Sequence, residues 1–377
     1  MTYDFIVIGA GIAGASAAYE LAANGTVLLI EAEAQPGYHS TGRSAALFTR
    51  NYGTSLVRAI NALSEPFFSD PPEDFASEPL LQPRGALAVA NAKDANLLDQ
   101  VLMASTQANP IIEMTPKDAL AMAPFLREDQ VARAVYEAGV MDIDVALLLQ
   151  SYLKAFRKRG GTVQTRHPVM SMTHAQGCWS VTTKIQTFQG RTVVNAAGAW
   201  ADQVGALARA KPIGLVAKRR TAIILDATTG YDVARLPCVD FTGDDAYIKP
   251  DAGKLMASPG DATPMEPQDA QPDEMDIAVL ADWIQRHTLL PVRRIEHSWA
   301  GLRSFVADGG PVIGFDDVLP NFIWNAGQGG YGIMMAPSLA KAVASLCHDQ
   351  TLPDDFVASG LAVTDLSRTR LDLSDNT

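Results

Sequence analysis

Residues 4–31 constrain this chain more than any other stretch. Asp-Phe-Ile-Val-Ile, residues 4–8, is a short apolar run of the kind that forms a buried parallel strand. Gly9-Ala10-Gly11-Ile12-Ala13-Gly14 follows, then a helical pattern through Leu21 that ends near Asn24-Gly25. A second apolar run, Thr26 to Ile30, ends in Glu31. A dinucleotide-binding βαβ unit requires this order. Gly9 permits the tight turn, Gly11 lets a pyrophosphate approach the backbone, and Gly14 lets the helix pack on the strand. The phosphate sits at the helix N-terminus, at Ile12 and Ala13. Glu31 can accept hydrogen bonds from ribose hydroxyls, and its charge disfavours a 2′-phosphate. A glycine triad alone more often marks a simple turn. The strand, triad, helix, second strand and acid carry the assignment together.

The unit alone does not separate FAD from NAD. A plain NAD domain would continue alternating strands and helices after Glu31. Instead, residues 36–46 read Pro-Gly-Tyr-His-Ser-Thr-Gly-Arg-Ser-Ala-Ala. The bland reading is a solvated loop. The functional reading is a second cradle for phosphate or flavin, with His39, Ser40, Thr41, Arg43 and Ser44 as its polar members. Three later segments extend the pattern. A helix at 145–159 leads through Gly160-Gly161 into a strand at 162–169. A strand at 192–195 enters Ala196-Ala197-Gly198-Ala199-Trp200. A strand at 322–325 enters Gly327-Gln328-Gly329-Gly330-Tyr331-Gly332, with Ile333 opening a helix through Ala344. Two glycine-rich helix starts suit a cofactor with both a pyrophosphate and an electron-rich ring.

Composition excludes several classes. The chain has 377 residues, enough for about two domains. Its net charge of -12 argues against a general nucleic-acid or anionic-membrane partner, so Lys218, Arg219 and Arg220 need a local explanation. Cys178, Cys238 and Cys347 lack zinc or redox spacing, and no metal site is read. The histidines form no HExxH or triad-like arrangement, which argues against hydrolysis. There is no signal-peptide pattern, and no apolar run reaches the roughly 18 residues of a membrane span. The expectation is a soluble cytoplasmic protein.

The segments 8–16, 34–46, 194–200, 218–220, 247–253, 299–308 and 328–333 spread over nearly the whole chain. Together they resemble the D-amino-acid oxidase-like superfamily of FAD oxidoreductases, most closely its bacterial D-arginine dehydrogenase branch. The resemblance implies noncovalent FAD and oxidation of a D-amino acid to an imino acid. It implies an α/β fold with a discontinuous Rossmann-like FAD domain, residues 1–50, 141–215 and 297–377. A mixed or antiparallel-sheet substrate domain, 51–140 and 216–296, is inserted into it. Residues 80–91, 216–226 and 236–257 alternate like antiparallel strands, while 54–69, 93–107 and 274–288 look helical. Residues 264–272 read as a loop, and the polar tail after Val363 is expected to fray. The resemblance also assigns Val169, Ala197, Gly198 and the run Gly329, Gly330, Tyr331, Gly332 and Ile333 to the cofactor.

Such an enzyme must hold a carboxylate and set Cα–H over flavin N5; the flavin does the redox chemistry. Arginine suits a carboxylate because it donates two parallel charge-assisted hydrogen bonds. Arg303 sits between apolar residues, and the resemblance places a carboxylate-binding arginine there. Arg220 is the second such position, with Arg219 beside it as the confounder. Tyr247 is either a packing residue or a phenol that bonds the carboxylate. Tyr52 lies in a segment resembling a mobile lid. The Gly330 carbonyl would face the substrate amine. Trp200 and Trp299 are read as structural. The amine would lose a proton to solvent or an ordered water, hydride would pass from Cα to N5, and the imine would hydrolyse after release.

The chain departs from the branch in its pocket. Ala86 stands where the branch has a guanidinium-binding glutamate, and Leu47 where it has a histidine. Both changes predict a less polar pocket that favours neutral or apolar substrates. Asp240 either restores a charge there or is a solvated loop acid. Oxidation of a secondary amine and a non-catalytic flavin-binding role are the competing functions. The electron acceptor, whether oxygen, quinone or another, is left open.

Overall fold

The apolar run at the N-terminus forms strand Thr2–Ile8, which lies between two parallel neighbours, Val27–Ile30 and Thr187–Asn195. The computed structural model describes residues 1–225 and 230–374. Residue 226 of the expected strand 216–226 and residues 375–377 of the tail lie outside them. Among the described residues there are an eight-stranded, a nine-stranded and a three-stranded sheet. No described helix is long and apolar enough to cross a membrane.

The eight-stranded sheet continues in parallel to Thr162–Gln164 on one side and Phe322–Ala326 on the other. Both faces are covered, which is why its strands read as unbroken apolar runs. Phe5, Val7, Leu29 and Val194 face helices Ile12–Leu21, Val145–Lys158 and Gly332–Asp349. Ile6, Ile8, Leu28 and Val193 face Trp179, Phe322 and Trp324.

The nine-stranded sheet runs from Ile295–Phe305 through Val216–Leu225, Lys254–Ser258, Ala246–Asp251, Cys238–Phe241, Ala86–Ala90 and Arg133–Glu137 to Ile111–Met114, with the short strand Thr263–Pro264 also paired to Val216–Leu225. Its two faces differ in kind. Leu87, Val89, Ile223, Val239, Phe241, Ile248 and Ala257 pack against Ala119, Leu280, Trp283 and Ile284 of helices Pro116–Met122 and Glu274–His287. The alternate positions face a cavity. Strand Ile295–Phe305 pairs with Val216–Leu225 along its length, so the expected boundary at 297 falls inside this strand.

Three expectations need correction. The helix expected at 93–107 is a 3-10 turn, Ala95–Leu97, and a short helix, Leu98–Met103. Beyond it the Ser105 and Thr106 hydroxyls accept from the Ile111 and Asn109 amides, a local alternative to further helix. The strand expected at 162–169 stops at Gln164. Arg166 then adopts a left-handed φ of 61°, and Val169 starts a separate antiparallel strand. The tail does not fray through residue 374. Short helices at Val363–Leu366 and Leu371–Ser374 flank Arg368, which is buried and donates to both oxygens of Asp317 at 2.8 and 2.6 Å.

Candidate active site

The turn after the first strand is built for close backbone approach. Gly9 has φ +100°, and a Cβ there would lie 2.4 Å from the Ala196 carbonyl oxygen. A Cβ on Gly14 would lie 1.8 Å from the Gly9 carbonyl oxygen, so only glycine lets this helix start at this strand end. The Glu31 carboxylate accepts from the Ala10 amide at 2.7 Å and the Glu33 amide at 2.9 Å, which fixes it at the end of the second strand. The Ile12 amide donates to Thr41 Oγ1 at 3.0 Å, where an anion would meet the helix.

The loop 327–332 opens helix Gly332–Asp349 against the same space. The Gly329 amide donates to the Ser304 carbonyl at 2.8 Å and ties this loop to the strand carrying Arg303. One cavity of about 730 Å³ joins the two helix starts. Its wall includes Gly11, Ile12, Ala13, Ser40, Thr41, Ser44, Gly198, Gly329, Gly330, Gly332 and Ile333. The volume falls in the usual range for ligand and cofactor sites, about 300–1,000 Å³. Two helix starts on one cavity and an acid at the second strand end fit a nucleotide cofactor with two electron-rich parts.

Not every expected cradle residue offers its side chain. Arg43 borders the cavity, but its guanidinium donates to the Ala270 and Ala300 carbonyls at 2.8 and 2.9 Å and pairs with Asp269. It braces the loop, with those donors committed. Ser40 Oγ donates to the Leu302 carbonyl at 2.6 Å. His39 pairs with Glu33 at 3.1 Å and packs on Trp200, away from the cavity wall. Val169 and Ala197 also stand off that wall; the Ala197 amide donates to Asn195 Oδ1 at 3.3 Å.

Strand alternation resolves the arginine pair. Arg219 turns to the back face, where it meets Asp276 at 2.6 Å and Asp261 at 3.5 Å. Arg220 and Arg303 turn to the cavity, and neither guanidinium pairs with a carboxylate among the described residues. Lys218 lies over the Phe305 ring. Burial and then the Arg303 charge hold Arg220 below the usual arginine range, while Tyr247 and Tyr52 oppose that shift. Tyr247 lines the cavity; Tyr52 sits at its rim, half exposed, with its ring 5.2 Å from that of Tyr331. Burial raises the Tyr331 phenol above its ordinary value. Two like charges held together without a counter-ion form an anion receptor.

The opposite wall is not the apolar surface expected. Leu47 and Ala86 line it, but so do Glu137, Asp240 and Asp245. Burial pushes the Asp240 carboxyl up to about 6; the Thr242 hydroxyl opposes this and the Asp245 charge adds to it. Glu137 is also raised by burial, against hydrogen bonds from Thr49, Asn109 and Asn51. Glu137 lies directly across from Ala86 in the sheet. Its sequence context, Val-Tyr-Glu-Ala-Gly, carries no local signal of a site.

The sequence profile of the FAD dependent oxidoreductase family matches residues 4–346. The glycine oxidase of Bacillus licheniformis is 24% identical, over 94% of this chain and 95% of its own length. The L-proline dehydrogenase structure from P. horikoshii superposes with a TM-score of 0.83 at 20% identity, covering 99% of this chain and 98% of the other. An L-α-glycerophosphate oxidase from Mycoplasma pneumoniae, solved with FAD bound, gives 0.82 at 19% identity over 92% and 95% of the two chains. The structural likenesses establish a shared fold. The profile match over most of the chain makes this protein a member of the FAD-dependent oxidoreductase family, with FAD as its cofactor.

Proposed function

We propose that this enzyme oxidises the Cα–N bond of a D-amino acid. The reading rests on Arg220 and Arg303, which face one cavity without an acidic partner among the described residues, beside Tyr247 and Gly330. In this reading residues 1–50, 141–215 and 297–377 hold FAD, and 51–140 with 216–296 hold the substrate. Strand Ile295–Phe305 is shared between them. The helix N-terminus at Gly11 and Ala13 receives the pyrophosphate, with the Ile12 amide held by Thr41 beside it, and Glu31 receives the ribose. Bound FAD supplies the acceptor for the hydride that leaves Cα.

The chain's own residues orient and exclude. Arg220, Arg303 and the Tyr247 hydroxyl take the carboxylate, which fixes Cα. The Gly330 carbonyl accepts from the amine. Tyr52 and Tyr331 close the rim against water. The amine proton passes to solvent or an ordered water. Loss of that proton and a hydride leaves an imino acid, which hydrolyses on release to a 2-oxo acid and ammonia.

Oxidation of an N-alkyl or cyclic amino acid is the second reading, favoured by the fold shared with an L-proline dehydrogenase. An anaerobic flavin-bleaching screen over D- and L-amino acids and N-alkyl amino acids tests both. Bleaching by D-amino acids with ammonia released supports the first reading. Bleaching only by N-alkylated substrates selects the second. A flavin that no amino acid reduces overturns both.

A further inference from the structure

We infer that Asp261 positions Arg220 for the substrate carboxylate, acting from the back of the sheet through the Thr221 amide. The inference deepens the reading above and rests on it, because it takes Arg220 as a carboxylate ligand.

The sheet is irregular where Arg220 stands. Strand Val216–Leu225 pairs with Ile295–Phe305 along one edge. On its other edge it pairs with two strands in turn: Ile223 lies opposite Ala257, and Arg219 lies opposite Thr263. Between these pairs, residues 220–222 face residues 258–262, three positions against five. The surplus bulges out of the ladder. Such a bulge leaves backbone groups without a strand partner and re-aims the side chains beside it.

The Thr221 amide opens onto this gap. It donates to Asp261 Oδ1 at 2.6 Å, and the Thr221 hydroxyl donates to Asp261 Oδ2 at 3.0 Å. The carboxylate takes the place of the absent strand carbonyl, and its bonds are charge-assisted. Thr221 is fully buried, so without Asp261 its amide would lack a partner away from water. Arg219 Nε lies 3.5 Å from Asp261 Oδ2, while its terminal nitrogen serves Asp276. Loss of Arg219 would leave both Thr221 bonds in place. On the cavity side, Gly260 and Ala262 line the wall with no more than a hydrogen and a methyl. Gly260 has φ +72°, and a Cβ there would lie 2.1 Å from the Asp245 carbonyl oxygen. The bulge thus leaves room for the guanidinium in front and fixes its backbone from behind. Asp261 does not line the cavity, so it acts on the ligand only through its neighbour. Its charge also reaches Arg220 and favours the charged guanidinium.

The test uses the holoenzyme and pentanoate, a carboxylate with no amine to oxidise, with binding read by flavin absorbance. Asp261→Ala should weaken pentanoate about tenfold and raise the D-amino acid KM by a similar factor, with flavin content unchanged. Asp261→Asn keeps an acceptor for the Thr221 amide, so it should bind pentanoate within about threefold of the parent. In an Arg220→Met background, Asp261→Ala should add less than about twofold, because the residue it positions is gone. Parent-like pentanoate binding by Asp261→Ala overturns the inference. So does an effect as large in the Arg220→Met background as in the parent, or an Asp261→Asn enzyme as weak as Asp261→Ala. If Asp261→Ala does not fold, Asp261→Ser, too short to hold both Thr221 donors, takes its place under the same criteria. Pentanoate binding that Arg220→Met leaves unchanged overturns the carboxylate reading itself, and the inference falls with it.

Discussion

Gly330 lies against the side chain of Arg303: a Cβ placed on the glycine would sit 3.3 Å from Cδ, Nε and Cζ of the arginine. That separation is tighter than ordinary contact, so Gly330→Ala should push the guanidinium off its position. A misplacement of this kind costs on the order of tenfold or more in KM. Flavin content should not change. Steady-state kinetics with flavin quantitation check this, and a KM within about twofold of the parent would place Arg303 outside carboxylate binding.

Arg220→Met and Arg303→Met should each cripple turnover while FAD stays bound. Either change removes a charge-assisted partner worth roughly 2–4 kcal/mol. The expected loss in kcat/KM is on the order of 30- to 1000-fold. Arg219→Met should leave kcat/KM near normal, because that side chain serves Asp276 and Asp261 on the back of the sheet. A reversed ranking of positions 219 and 220 would show that the wrong arginine faces the substrate.

Asp240 should make stability depend on pH in the opposite sense to a salt-bridged carboxylate. Unfolded, it titrates near its ordinary 3.8; folded, at about 6. As pH rises between those values the unfolded chain releases its proton first, so stability falls. The penalty is complete above pH 6 and absent below about 4; its ceiling is about 3 kcal/mol. Asp240→Asn should therefore raise Tm by about 2–4 °C at pH 8 and by much less at pH 4. Thermal melts of both holoproteins at the two pH values decide it, and an equal shift at both would detach the effect from this carboxyl.

FAD should be held without a covalent bond. Cys238 is the cysteine on the cavity wall, and burial raises its thiol to about 12, which suppresses the thiolate. Cys347 is near the far end of helix Gly332–Asp349. Acid precipitation should release all the yellow colour to the supernatant. Colour retained in the pellet would contradict this.

Much of the framework was legible because it depends on local chemistry. The Gly9–Gly14 turn and the 327–332 loop announce themselves through residues that only a close backbone approach demands. The choice between Arg219 and Arg220 was not legible from adjacency, because it depends on which face of strand Val216–Leu225 meets the cavity. Glu137 was invisible for a stronger reason: its partner Ala86 is 51 positions away, and no local pattern encodes that pairing. Ala86 alone therefore suggested a pocket stripped of charge, whereas the acid stands one strand over. The tail misled through composition: its polar residues read as solvated, yet Arg368 and Asp317 use that polarity to dock it.

The nine-stranded sheet separates two demands by parity. Along Cys238–Phe241, Cys238 and Asp240 meet the cavity while Val239 and Phe241 meet the helices behind. Substitutions at the first set can change what the enzyme accepts while the hydrophobic packing that holds the sheet stays intact. Substitutions at the second set threaten folding before they reach the ligand. A library restricted to positions 86, 88, 137, 238, 240 and 247 would thus explore new substrates at low risk to the scaffold. A single-residue insertion in any of these strands would do the reverse: it would turn apolar side chains into the cavity and charges into the core.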